Sequence, residues 1–219
     1  MGARGEAGIM EQEQPKGWSR RRFLGGAAIL AALVGVPLAA IRLDLFAAED
    51  APSERQRDLM RTVSQIVIPA TNTPGAGDVG AGDFVLLGLA HGLEKARTPL
   101  PKDAPQDLVR HARTDGSLDQ AGWLEAELDR RTDGDFLKVA AERQAMVLTK
   151  LDAEAYAEGV REHPWRTIKA LILTGYYTSE PGGSQELQFN LVPGTYAPDV
   201  AVTPQTRAYS SDWTAVDFG

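Results

Sequence analysis

Between residues 53 and 175 apolar positions return every three or four residues, the period of helices with one buried face. Ser53-Glu54-Arg55-Gln56 reads as a capping box, and Leu59, Val63, Ile66 and Val67 follow on one face until Pro69 ends the run. Residues 69–82 are rich in Gly, Pro and Thr and predict a flexible connection. Asp83 is placed to cap a short, strongly apolar helix over 84–93, in which Gly88 and Gly92 permit close packing or mark weakness. Three prolines make 98–105 a loop. Ser117-Leu118-Asp119-Gln120 reads as a second capping box, opening a helix through Arg131 with Ala121, Leu124 and Leu128 inward; Asp133-Gly134-Asp135 breaks it. A further helix is expected over 140–157, with Ala141, Ala145, Leu148, Leu151 and Ala155 near one side. His163-Pro164 opens the last, whose stripe is Trp165, Ile168, Leu171 and Ile172. The expected fold is all-α, about five helices in one domain over 49–175.

Beyond Gly175 the period is lost. Residues 176–219 hold glycines, prolines and aromatics, with short strand candidates such as 186–192. So long an irregular tail either orders on a partner or wraps its own domain, and its aromatic content suits an interface.

The opposite pattern precedes the domain. Ser19, Arg20, Arg21, Arg22, Phe23 and Leu24 lead into an uncharged stretch to Ile41, so residues 1–48 read as a twin-arginine export signal recognised through Ser19, Arg20, Arg21, Phe23 and Leu24. A transmembrane helix with a basic inner flank is the competing reading. The two are compatible, because no clean A-x-A cleavage site follows and an uncleaved signal would act as an anchor.

Composition narrows what the domain can do. The net charge is −7 over 219 residues, and the first 48 hold six Lys/Arg against four Asp/Glu, so the remainder carries about −9 and is unsuited to nucleic acid. There is no cysteine, which excludes disulfides, thiolate catalysis, Fe–S clusters and c-type haem attachment; three histidines remain, His91, His111 and His163. Folded export usually serves a protein that acquires a cofactor before transport. Nothing here looks able to hold one, so either the cofactor site is unconventional or the cofactor sits on a partner.

Three pieces of candidate chemistry give way to structural readings. Gly75, Gly77 and Gly80 spell G-x-G-x-x-G, but a dinucleotide site needs a strand before them, and a helical period stands there instead. His91 has no second ligand at i+4. Glu125 and Asp129 share a helix face and could act as acid and base, yet Arg130 and Arg131 beside them suit a solvated surface. No catalytic, cofactor-binding or metal residue is assigned.

Two stretches carry a family likeness. Ile66-Val67-Ile68-Pro69-Ala70-Thr71-Asn72-Thr73-Pro74-Gly75-Ala76, with Gly82-Asp83-Phe84-Val85, and Gly175-Tyr176-Tyr177-Thr178-Ser179-Glu180-Pro181-Gly182-Gly183-Ser184-Gln185-Glu186-Leu187, with Val192-Pro193-Gly194-Thr195-Tyr196, resemble the small subunit (subunit 3) family of gluconate 2-dehydrogenase. The resemblance implies a non-catalytic, periplasmic subunit associated with the cytoplasmic membrane. It would escort an FAD-dependent, GMC-type large subunit through the twin-arginine translocase, and a multihaem cytochrome c carrying haem c would form a possible third subunit. The substrate, whether gluconate, another sugar, a polyol or a glycoside, would be set by the large subunit. Tyr176, Tyr177, Thr178, Ser179, Glu180, Gln185, Glu186, Leu187, Pro193 and Tyr196 are the candidates for the partner interface. The competing functions are a free-standing exported enzyme, using carboxylates or His91 in a helical cleft, and a membrane-anchored protein that binds a small ligand.

Overall fold

The computed structural model describes residue 46, residues 50–189, residue 199, and residues 201–203 and 206–210. The export-signal residues Ser19, Arg20, Arg21, Phe23 and Leu24 lie outside the described residues, as do Pro193 and Tyr196. Helix α1 (Glu54–Val67) starts as the sequence predicts: the Ser53 hydroxyl accepts from Gln56 N–H, and the Gln56 side chain accepts from Ser53 N–H. Leu59, Met60 and Val63 are its buried stripe.

Helix α2 (Ala81–His91) starts earlier than expected. Its N-cap is Gly80, in the left-handed region at φ 82°, and Asp83 lies within the first turn rather than at the cap. The reason is close packing: a Cβ on Gly82 would come within 2.8 Å of Arg61 N on α1. Nearly every side chain of α2 is buried, which fits its position between α1 and the last helix. Gly92 closes it at φ 79°, donating back to the carbonyls of Gly88 and Leu89, while Gly88 sits against Leu171. His91 is the exposed last residue of α2.

After a short α3 (Gln106–Val109), which its proline-rich surroundings conceal in the sequence, α4 (Gln120–Thr132) opens on Asp119, whose carboxylate accepts from Gly122 N–H. Ser117 is not the cap. It is fully buried, pairs with Pro99 in an antiparallel bridge, and gives its hydroxyl to Asp115 at 2.6 Å. Helix α5 (Ala141–Ala155) buries Gln144, Leu148 and Leu151, and Gln144 donates to the Phe136 carbonyl at 2.8 Å. Helix α6 (Pro164–Tyr177) has Pro164 in its first turn, and its cap His163 accepts from Trp165 N–H through Nδ1. Trp165, Ile168, Leu171 and Ile172 all lie in the core, where each large side chain contributes roughly 1.5–3 kcal/mol by leaving water. Among the described residues the fold is thus all-α, with five long helices.

Charged clusters tie helix to helix and loop to loop. Arg55 on α1 meets Asp129 at 2.8 Å and Asp135 at 2.9 Å, and also pairs with Glu125. Burial alone would lower the Arg55 pKa, but the hydrogen bonds to these three carboxylates outweigh it and hold the guanidinium charged. Glu125 and Asp129 therefore serve α1–α4 packing. In the second cluster Asp50, with only 7 % of its side chain exposed, pairs with both Arg97 and Arg113.

Past α6 the chain is less irregular than its composition suggests. A π-helical turn (Gly182–Glu186) is followed by β1 (Gln188–Phe189), which pairs in parallel with β2 (Tyr209–Ser210), Gln188 opposite Tyr209. Among the described residues no helix is long and apolar enough to cross a membrane.

Candidate functional site

The two sequence motifs, about a hundred residues apart, meet at the C-terminal end of α6. The first motif is the turn that leaves α1. Gln65 accepts from Gly77 N–H at 2.9 Å and Asp78 N–H at 3.2 Å, and donates to the Asp78 carboxylate at 3.0 Å. Asp78 in turn accepts from Gly75 N–H at 3.1 Å. The glycines are there for contact: a Cβ would stand 2.5 Å from the Gln65 amide at Gly75, and 2.7 Å from the Arg61 carbonyl at Gly77. The turn is thus fastened to α1 rather than flexible, and a helix, not a strand, precedes it. Gln65 carries no sequence signal beyond being a polar residue just ahead of a glycine-rich stretch.

The second motif supplies the other half. The Tyr176 hydroxyl donates to the Pro74 carbonyl at 3.2 Å and lies 3.4 Å from the Thr73 hydroxyl, which donates to Glu186. Burial raises the Tyr176 phenol above its ordinary pKa of 10.0, the Thr73 hydrogen bond acts the other way, and Glu186 raises it further, so the phenol remains a donor at neutral pH. Ser179 gives its hydroxyl to the Tyr176 carbonyl at 2.6 Å and accepts from Gly182 N–H at 3.2 Å. Gly182 has no room for a side chain, since a Cβ would be 2.0 Å from the Tyr176 carbonyl oxygen.

The expected interface residues therefore divide into two groups. Tyr176 and Ser179 are buried and hold the junction together. Tyr177, Thr178, Glu180 and Gln185 are exposed around it, and Glu186 and Leu187 are half-buried. Beside them Pro69, Ala70, Thr71, Asn72 and Pro74 are exposed on the fastened turn. Tyr177 packs edge-to-face on Tyr176, with centroids 5.2 Å apart, and leaves 40 % of itself in water; Leu173, one turn earlier, leaves 37 %. Large hydrophobic side chains left in water beside a rigid turn suit contact with another protein.

The remaining histidines line a cleft of about 490 Å³ formed by α3, the Trp123 and Glu127 face of α4, and Glu162 to Pro164. His111 and His163 both border it. Burial, with Arg131 nearby, lowers the His163 pKa from its usual 6.5, and the ring stacks edge-to-face on Trp123 at 5.6 Å. Among the described residues no three His, Cys, Asp or Glu side chains come together as a metal site.

The two motif stretches thus close on each other within a helical domain and carry a collar of exposed side chains. The family model for gluconate 2-dehydrogenase subunit 3 matches residues 54–194, well over half the chain, and the protein belongs to that family. The match runs from the first residue of α1 through the first motif and into the second as far as Gly194. No curated protein and no solved structure matches the chain. Membership makes it the small, accessory subunit of a dehydrogenase complex.

Proposed function

We propose that this chain is a non-catalytic subunit that docks on an FAD-bearing, GMC-type dehydrogenase, escorts it through twin-arginine export and stabilises it at the periplasmic face of the cytoplasmic membrane. FAD belongs to that partner, and haem c to a possible cytochrome subunit. The family match supports a partner of dehydrogenase type. The docking face is the junction of the two motifs: Leu173, Tyr177 and the turn at 69–74 present exposed side chains on a backbone already held by Tyr176 and Gln65. The observation that carries the reading is this meeting of the two motifs at Pro74 and Tyr176.

The export half rests on Ser19, Arg20, Arg21, Phe23 and Leu24. Replacing Arg20 and Arg21 by lysine keeps their charge but removes the planar guanidinium fork. The flavoprotein should then accumulate in the cytoplasm, and normal periplasmic dehydrogenase activity would refute escort. For docking, the chain is tagged at its C-terminus and recovered gently from the cell envelope. A flavoprotein in about equal amount is expected, and Tyr177→Asp with Leu173→Asp should deplete it. Recovery of the chain alone, without flavin, would refute the accessory role.

A further inference from the structure

A second cleft, separate from the motif junction, lies between residues 94–108 and the opening of α6. It encloses about 460 Å³, within the few-hundred-Å³ range of small-molecule sites. Leu100, Ala104, Leu108 and Leu118 line it, with Pro99 and Pro105, which have no N–H to offer. Thr98, His163 and Thr167 add half-buried or exposed polar groups, and Gln120, the first residue of α4, is the buried polar side chain of the lining. It is only 7 % exposed, and its Oε1 is buried without a hydrogen-bond partner among the described residues. Such an orphan acceptor is expensive inside a protein and is a reason to look for a missing donor. The last torsion of a glutamine is soft, which leaves this oxygen free to reorient toward a donor.

The rim refines the ligand's chemistry. Lys95, Arg161 and Arg166 stand there with Glu94 and Glu162, and the Arg166 guanidinium is engaged by the carbonyls of Ala155, Val160 and Arg161, which leaves two cations against two carboxylates. Glu94 and Lys95 hold adjacent left-handed conformations, φ 49° and 60°, which non-glycine residues adopt at an energetic cost and which gather at binding sites. We propose that this cleft binds a small, uncharged, largely apolar molecule bearing a hydroxyl or amide N–H, which donates to Gln120 Oε1. The site does not depend on the accessory-subunit reading, and a subunit can carry both surfaces.

The test uses the purified full chain and two probes of one shape, 4-propylphenol and 4-propylanisole, which differ in the hydrogen-bond donor. Titration followed by saturation-transfer NMR should show the phenol binding about tenfold more tightly, the equivalent of one hydrogen bond to a buried acceptor. Gln120→Leu should bring the ratio close to one, and Ala104→Trp, which fills the cleft, should abolish binding of both. Binding of neither probe to the wild type, a preference that survives in Gln120→Leu, or binding that survives in Ala104→Trp would each overturn the proposal. If Gln120→Leu does not fold, the wild-type ratio and Ala104→Trp still decide. Ala104→Trp should also co-purify with the dehydrogenase subunit as the wild type does. Loss of the partner from a folded Ala104→Trp chain would make the cleft part of the subunit interface and end the small-molecule assignment, while leaving the accessory role intact.

Discussion

The Tyr176 hydroxyl, on the last turn of α6, donates to the carbonyl of Pro74, 102 positions earlier, at 3.2 Å. This bond holds the turn after α1 against the end of α6. Tyr176→Phe keeps the ring packing and removes the donor. It should lower stability by about 1–2 kcal/mol, and the melting temperature by roughly 2–6 °C. Calorimetry of wild type and variant checks this; an unchanged melting temperature would show that the bond contributes nothing.

Glycines at two positions should answer differently to alanine. Gly182→Ala sets a methyl group 2.0 Å from a backbone oxygen that cannot swing aside, whereas a Cβ on Gly134 meets nothing within 4 Å. Overpacking of the first kind is expected to destabilise by about 1–3 kcal/mol. Gly134→Ala should stay close to wild type. Urea denaturation of both variants measures the difference.

Stability should fall in two stages on acidification. His163 has its pKa depressed below 6.5, chiefly by burial, so the unfolded chain takes up this proton first and stability declines as pH drops below about 6.5. Glu127 and Asp152 are pushed up by burial, but hydrogen bonds from Arg130 and Arg131, and from Lys169 and Trp165, leave them below 4.5 and 3.8 respectively. Their contribution is complete above those values and disappears as pH falls through the lower folded ones. His163→Asn retains a side chain able to cap α6 and should remove the first stage alone. Denaturation midpoints across pH test it.

Asp50→Ala should destabilise by about 2–3 kcal/mol, because two half-buried guanidinium groups, Arg97 and Arg113, would lose the carboxylate between them. Arg97 keeps Asp115 at 3.1 Å and Arg113 keeps Asp119 at 3.1 Å, so the domain should still fold. Thermal denaturation of the variant gives the figure; a loss no larger than that of an exposed ion pair would show that the clamp is weak.

Local chemistry was legible where neighbours in sequence are partners in space. The Ser53–Gln56 box and the His163-Pro164 start depend on residues two or three apart, and both ends of that contact can be read directly. Ser117 carried the same signature as Ser53, but its hydroxyl is taken by Asp115 and Asp119 caps instead, a competition decided by the bridge to Pro99. Asp83 lost the cap of α2 for a tertiary reason, the contact of Gly82 with α1. The Arg55 cluster joins residues 70 to 80 positions apart, and the Thr73–Glu186 bond spans 113, so no periodicity could announce them. Among the interface candidates, nothing local in the sequence tells the buried Tyr176 from the exposed Tyr177 beside it.

The clasp of Gln65 on Gly77 and Asp78, continued at 73–74 by the bonds of Thr73 to Glu186 and of Tyr176 to Pro74, has a thermodynamic consequence for recognition. A loop that orders only on contact gives up conformational entropy at that moment and weakens the complex. Here that entropy has already been surrendered during folding, through bonds made inside the domain. A protein meeting the turn at 69–74 would encounter a finished surface, so association should approach the rate of rigid docking and be governed by the match of shapes.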